Sequence, residues 1–346
     1  MPTDKLRWGL LSTAAINDAI LNAVEASSRS EIVAVASRDL ARARSYATAK
    51  NIPTAYASYE QLLEDRSVDA VYVSLPNTLH AKWTVQAANH GKHVLCEKPI
   101  VVSLDELDAI ESAAAANRVT IFEAYMHLHH PQTLRAKNLI SSGELGEIKQ
   151  MSAWFGYYLP PEDKDNIRLN PRLGGGSLWD VGVYPVSLLL DLAQLGHPVE
   201  VIGTRIEGET GVDVEFAGQM RFPTGAIAQV SCGFRTPFRQ GASIAGTGAM
   251  LQLNEPWIPG MKSRTEHGPD SSIALTAADG AERNVVVASA NPWQAEIEAM
   301  EACVFDGAKP IVPLGKSRDI LRTVLALRHS AENGSKPVAL EEVVTA

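Results

Sequence analysis

Through the first third of the chain, short apolar runs alternate with stretches whose apolar residues recur at helical spacing. Residues 6–11, 31–37, 69–74, 92–96 and 119–125 read as strands, and residues 16–26, 40–50, 80–90 and 104–117 read as the helices between them. This alternation predicts parallel βαβ units with right-handed crossovers. The first domain is therefore expected to be a Rossmann-type, doubly wound parallel sheet over residues 1–125. Beyond Tyr125 the period changes. After a helix at 132–142 ending at Gly143, alternating segments follow at 147–158, 199–207, 212–222, 226–234, 242–245, 250–253, 273–275 and 285–287. Pro223–Thr224–Gly225 sits between two of them as a hairpin turn. The expectation for residues 126–346 is an α+β domain with a large, mostly antiparallel open sheet, and for the whole chain an α/β protein. Helices at 183–195 and 294–305 are expected on one face of that sheet and a second subunit on the other, giving a homodimer or homotetramer. A last helix, 316–333, stops at Gly334.

Composition narrows the function. The 346 residues are 45% hydrophobic and 21% charged, enough for two buried cores. A formal charge of −9 with no basic run argues against nucleic acid, which requires a basic face. Cys96, Cys232 and Cys303 are scattered without metal spacing and read as reduced thiols, so no metal is expected. No window approaches a membrane span, and the chain opens directly on a strand. The expectation is a cytoplasmic protein acting on small molecules.

In open α/β sheets ligands bind outside the carboxyl ends of the strands, and the polar residues there are informative. The first strand runs into Ser12–Thr13–Ala14–Ala15–Ile16–Asn17, where a dinucleotide fingerprint would carry three glycines and this chain has none. Small side chains before a helix N-terminus still let a pyrophosphate approach backbone N–H groups; a plain tight turn is the competing reading. The second strand ends in Ser37–Arg38–Asp39, where Ser37 and Arg38 suit a ribose 2′-phosphate, so NADP(H) is preferred and NAD(H) remains open through Asp39. The third closes with Ser74–Leu75–Pro76–Asn77 and His80, beside a nicotinamide ribose in this arrangement, though a capping role alone accounts for Asn77. The fourth delivers Glu97, Lys98 and Pro99: a carboxylate, an ammonium to orient a substrate hydroxyl, and a proline that directs the exit.

A second constellation lies in RLNPRLGGGSLWDVGVYP, residues 168–185. Gly174–Gly175–Gly176 reads as a close-approach turn and Ser177 as a cap; Asp180 and Tyr184, four apart, share one helix face. Beside the Lys98 ammonium a phenol exchanges its proton more readily near neutral pH. Lys98, Asp180 and Tyr184 then form a set that moves a proton while a hydride travels. A cap and a half-buried core residue are the plainer readings of Asp180 and Tyr184. Arg168 is a candidate for substrate or phosphate. Trp154 and Trp179 are candidate walls of a sugar pocket, or core aromatics. For His127, His129 and His130, a zinc site is the weaker reading.

These motifs, together with Asn291–Pro292–Trp293–Gln294 ahead of a helix, make the chain resemble the Gfo/Idh/MocA oxidoreductases over nearly its full length. Within that family it is similar to the branch holding dimeric dihydrodiol dehydrogenases, pyranose and xylose dehydrogenases and glucose–fructose oxidoreductase, which has Tyr where Tyr184 stands. The resemblance implies Lys98 and Tyr184 as the catalytic pair, Tyr184 being the acid/base, with Asp180 in support. It also implies that Ser37 and Arg38 face the NADP 2′-phosphate. Together with the strand-end and 168–185 readings, the expected cofactor site is Ser12, Thr13, Ala14, Ala15, Ile16, Ser37, Arg38, Leu75, Pro76, Asn77, His80, Glu97 and Lys98, and the expected substrate site is Lys98, Arg168, Trp179, Asp180 and Tyr184. Leu128 stands where relatives often carry Arg. The expected function is NAD(P)-dependent hydride transfer between nicotinamide C4 and a sugar, polyol or cyclic diol. NADPH-dependent ketosugar reduction and a non-catalytic dinucleotide sensor are the alternatives.

Overall fold

A computed structural model of the chain describes residues 5–341. It divides into two compact units: the first comprises residues up to 126 with 262–266 and 291–317, the second comprises 127–261, 267–290 and the residues from 318 on.

The first unit is built from β1 (Leu6–Leu11), α1 (Asn17–Ala26), β2 (Ser30–Ala36), α2 (Leu40–Lys50), β3 (Thr54–Tyr56), α3 (Tyr59–Glu64), β4 (Ala70–Val73), α4 (Asn77–Asn89), β5 (His93–Cys96), α5 (Leu104–Asn117) and β6 (Ile121–Glu123). Every pairing in its sheet is parallel, and the order is β3-β2-β1-β4-β5-β6. The central strands are continuously apolar because both faces are covered: all of β4 and the last three residues of β5 are buried. Strand order reverses between β1 and β4, and such a reversal opens a crevice at the carboxyl edge. Sequence periodicity misses β3 and α3, since three residues of strand are too short to show a period.

The second unit holds α7 (Pro131–Ser141), which follows the short α6 (Met126–His129), then β7 (Ile148–Gly156), a π-helical turn at Leu178–Gly182 and α8 (Val183–Ala193). β8 (Glu200–Glu207), β9 (Asp213–Arg221), β10 (Ile227–Gly233), β11 (Arg239–Gly246), β12 (Ala249–Leu253), β13 (Ser271–Ala277) and β14 (Glu282–Val287) follow. After α9 (Pro292–Asp306) and α10 (Leu314–Glu332), β15 (Val338–Ala339) completes a nine-stranded sheet of order β14-β13-β12-β11-β7-β10-β9-β8-β15. All its pairs are antiparallel except β7 with β10, as the mostly antiparallel expectation requires. One face is covered by α8 and α10. At Gly203 and Gly218 the α10 helix comes so close that a Cβ would lie 2.2 Å from the Leu327 carbonyl oxygen and 2.6 Å from a Leu327 methyl. The opposite face, with Ser152, Trp154, Gln219, Gln229 and Ser231, carries no element of this chain among the described residues.

One helix differs from expectation. Instead of covering the second sheet, α9 belongs to the first unit and packs on α1. The reason is a polar anchor: buried Glu301 on α9 accepts from the hydroxyls of both Ser27 and Ser30, and Ser30 accepts from Trp8 Nε1 at 3.1 Å. Asn291 adds a bond to Asn22 at 3.1 Å. Helical periodicity records that such a helix has an apolar face, not which sheet that face meets.

Removing the anchor leaves the buried Ser30 hydroxyl and the half-buried Ser27 hydroxyl without their acceptor. Glu301→Ala is expected to lower unfolding free energy by about 2–3 kcal/mol, in line with hydrogen bonds to a charged group. Glu298→Ala, on the exposed side of the same helix, is expected to change it by less than about 0.5 kcal/mol. Urea denaturation of the two variants checks the difference.

Candidate active site

At the carboxyl end of β1 the missing glycines are replaced by a hydrogen-bonded ring. Ser12 adopts φ +141°, a conformation that favours glycine. Its hydroxyl lies 2.9 Å from the Ser74 carbonyl and 2.8 Å from Ser74 Oγ, and it accepts the Ala14 N–H at 3.1 Å. Ser74 donates to Asn17 Oδ1 at 2.7 Å, and Asn17 Nδ2 donates to the Ser12 carbonyl at 2.9 Å. The turn is thereby tied to the end of β4, across the reversal in strand order. The N–H groups of Thr13, Ala15 and Ile16 have no protein partner among the described residues. Three free amides and small side chains before a ten-residue helix fit a pyrophosphate.

Beyond β2, Asp39 is spent on capping α2: its Oδ1 accepts from Ala41 N at 2.8 Å and Arg42 N at 3.4 Å. The residue that would read a ribose 2′-hydroxyl is thus committed to the helix. Arg38 is exposed, Ser37 is buried, and Arg42 Nε donates to Thr13 Oγ1 at 2.7 Å. Arg38 and Arg42 both act electrostatically on the Tyr59 phenol. Sequence reasoning missed Arg42, which lies in the first turn of α2. The donor set fits a 2′-phosphate.

His80, buried on α4, bridges two loops, with Nδ1 2.7 Å from the Pro99 carbonyl and Nε2 2.6 Å from that of Leu75. Burial lowers its pKa, and the charge of Lys98 acts in the same direction. Pro76 takes the capping position of α4, so Asn77 lies one residue beyond where a capping side chain sits. Glu97 accepts from the Tyr72 hydroxyl and from the Lys98 N–H, the latter at 3.2 Å. Burial raises the Glu97 pKa, opposed chiefly by the charge of Lys98. Glu123, deeper, accepts the Ile100 N–H at 3.0 Å and is pushed up to about 7 by burial. The first unit therefore brings the predicted residues from Ser12 to Lys98 onto one edge of its sheet.

In the second unit, a buried carboxylate shapes the glycine-rich segment. Ser177 is already helical and caps nothing; its hydroxyl and the Leu178 N–H both donate to Asp213 Oδ2 at 2.7 Å. Gly176, at φ +124°, must be glycine, because a Cβ there would lie 2.3 Å from Asp213 Oδ1. Burial raises the Asp213 pKa while these two bonds pull it back. The π-helical turn that follows carries Asp180, and Tyr184 opens α8; such turns are frequent at functional sites. Asp180 Oδ2 accepts from Tyr157 Oη at 2.7 Å and Arg168 Nε at 2.9 Å. The carboxylate of Asp180 is what chiefly raises the Arg168 pKa, with smaller contributions from Tyr157 and Tyr184.

The Tyr184 ring is walled by His127, Phe155 and Trp257, with centroids 5.2, 5.4 and 5.7 Å away. Phe155 also meets Phe238, which is 64% exposed at the mouth of this cluster. Strand alternation separates the neighbours Trp154 and Phe155. Trp154 lies on the open sheet face, its ring where a Gly241 Cβ would be, so it does not wall the Tyr184 site. Trp179 is buried. Phe155, Tyr157 and Trp257 escaped sequence reasoning; only the period of two along β7 hinted that 155 and 157 share a side. Among the described residues no group of three or more His, Cys, Asp or Glu side chains could hold a metal ion.

Comparison with known proteins accords with this geometry. Residues 6–125 match the model of an oxidoreductase family with an NAD-binding Rossmann fold, and residues 133–252 match the GFO/IDH/MocA C-terminal domain. D-xylose 1-dehydrogenase (NADP(+)) 2 of Haloferax volcanii is 39% identical over 336 residues, covering 95% of this chain and 98% of its own. Trans-1,2-dihydrobenzene-1,2-diol dehydrogenase of Bos taurus is 29% identical, over 92% of this chain and 96% of its own. Among solved structures, KijD10, a 3-ketoreductase from Actinomadura kijaniata in complex with NADP and TDP-benzene, superimposes with a TM-score of 0.83 at 27% identity, covering 94% of this chain and 98% of that one. Matched in both of its halves, the chain belongs to the Gfo/Idh/MocA oxidoreductase family, with that family's NAD-binding Rossmann fold in its first 125 residues.

Proposed function

We propose that the protein is an NADP(H)-dependent dehydrogenase of free, uncharged aldopyranoses, oxidising a ring CH–OH to C=O with Tyr184 as acid/base. The observation that carries this reading is the setting of Tyr184: its ring packs in an aromatic cluster whose accessible surface comes from Phe155 and the exposed Phe238, and the neighbouring carboxylate is paired with Arg168. An aromatic wall suits the apolar face of a pyranose. With its Nε on Asp180, Arg168 is partly compensated, which suits a neutral hydroxyl-bearing ligand better than a phosphate or carboxylate. The likeness to an NADP-linked xylose dehydrogenase over 95% of the chain supports the same substrate class.

NADP(H), when bound, supplies the hydride acceptor or donor. The chain's own residues do the rest. The amides of Thr13, Ala15 and Ile16 bind the pyrophosphate, Ser37, Arg38 and Arg42 bind the 2′-phosphate, and the loops holding Leu75, Pro76, Asn77, His80 and Glu97 line the remainder of the cofactor site. In oxidation the substrate hydroxyl loses its proton to Tyr184 as the carbon loses a hydride, and the proton leaves to solvent. Lys98 supplies the positive charge that orients the hydroxyl and favours the phenolate. Asp180, held by Tyr157 and Arg168, is an oriented acceptor for a second hydroxyl. The reverse reaction, reduction of a ketosugar, draws support from the likeness to KijD10.

The open face of the nine-stranded sheet supports a homodimer. Mostly uncharged side chains line it around Trp154, with Arg239 bonded to Ser231, and Ile206 and Val286 are exposed on it. No helix among the described residues is long and apolar enough to cross a membrane.

Tyr184→Phe is expected to lower kcat at least about a hundredfold in a D-xylose/NADP+ assay, the scale of a lost general acid/base. NADPH affinity, measured by nicotinamide fluorescence, should stay within twofold. Arg38→Ala/Arg42→Ala is expected to weaken NADPH binding at least about tenfold, as for charge-assisted phosphate contacts, and leave NADH binding unchanged; an equal loss for both cofactors would contradict the 2′-phosphate assignment. Sedimentation velocity should show a dimer, and Ala217→Glu in the middle of the open face should yield a monomer with melting temperature preserved.

A further inference from the structure

Of the three histidines before Pro131, His127 is buried against the Tyr184 phenol. His127 on α6 is fully buried. Its ring lies 5.2 Å from the Tyr184 ring at 42° and 5.5 Å from Trp257 at 87°. Its Nε2 is 3.2 Å from Ser187 Oγ, and Ser187, on the turn of α8 after Tyr184, donates its hydroxyl to the Tyr184 carbonyl at 3.0 Å.

These bonds decide the state of the imidazole. A serine has one proton to give. With that proton on the Tyr184 carbonyl, Ser187 Oγ can only accept from His127, which places the imidazole hydrogen on Nε2. Burial pushes the His127 pKa down to about 3; Asp191 opposes this, while His129 adds to it. Asp191 is itself occupied by Lys137 at 2.8 Å, so the imidazole stays neutral at working pH. Trp257, its other neighbour in the cluster, carries no charge, and Arg168 and Tyr184 act on one another electrostatically. A position that needed only packing would take a Phe or Leu, with no polar group to bury. Here a polar ring is buried, and its bond runs through one hydroxyl to the backbone of Tyr184.

We infer that His127 is a positioning residue for Tyr184, fixing the phenol by its ring face and, through Ser187, the backbone from which the phenol projects. The inference rests on the reading of Tyr184 as acid/base given above. Misplacement of a proton-transfer group by a fraction of an ångström costs rate and leaves substrate affinity intact.

The test compares His127→Phe, which keeps a ring but loses the N–H, with Ser187→Ala, which removes one oxygen, and with the double variant, under D-xylose/NADP+ kinetics. Each single change is expected to lower kcat about tenfold with KM within twofold. The double variant should fall no further than the worse single one, because both changes cut the same link. Unchanged kcat in both single variants, losses that multiply in the double variant, or an effect confined to KM would each overturn the inference. If His127→Phe does not fold, Ser187→Ala with an unchanged melting temperature decides it alone. Tyr184→Phe run alongside separates the two readings: if it retains turnover, the acid/base assignment itself fails, and if it alone loses turnover, only the role of His127 does.

Discussion

A reversal of strand order between β1 and β4 is the constraint on which the first unit's chemistry depends. Two neighbouring strands whose crossovers leave in opposite directions cannot cover their carboxyl ends, and a crevice results. The turn after β1 must then make a sharp bend at its floor. Glycine is the usual solution. This chain instead places Ser12 in a glycine-like conformation and compensates with bonds among Ser12, Ser74 and Asn17. A strained backbone persists only where its surroundings over-determine it, and here the surroundings are two strands joined by side chains. The loss of the fingerprint thus changes how the turn is held without removing the amides it presents.

The second unit meets a comparable demand by other means. Asp213 reaches from β9 to hold the start of the π-helical turn, and Gly176 leaves room for it. Asp180 and Tyr184 sit on the segment so fixed. Each is also gripped on its own account, Asp180 by Tyr157 and Arg168, Tyr184 by aromatic faces and the His127–Ser187 link. A side chain that must move a proton within hydrogen-bond reach of a substrate gains from being held before the substrate arrives.

Charge is distributed to match. Buried acids cluster at the Glu97–Lys98 loop, and burial raises the pKa of Glu97, Glu123 and Glu296 alike. The same rule holds around Tyr184, where burial keeps His127 neutral and the Arg168 charge is offset by Asp180.

The sequence by itself determined the α/β class, the parallel first sheet, the mostly antiparallel second sheet and the motifs at the strand ends. Those features follow from local periods of 2 and 3.6 residues and from polar residues at fixed offsets along one strand or turn, and both survive in a linear string. Only the tertiary structure decided that α9 joins the first unit, that Asp39 caps a helix while Arg42 turns to Thr13, that Trp154 faces away from Tyr184, and that Tyr157 and His127 adjoin the proposed proton carriers. In each case the deciding partner lies far along the chain or on another face of the same element, as Glu301 does from Ser30 and Ser187 from His127. A pattern read along the chain records which residues are apolar or polar; which partner satisfies a buried polar group is settled only when distant segments pack.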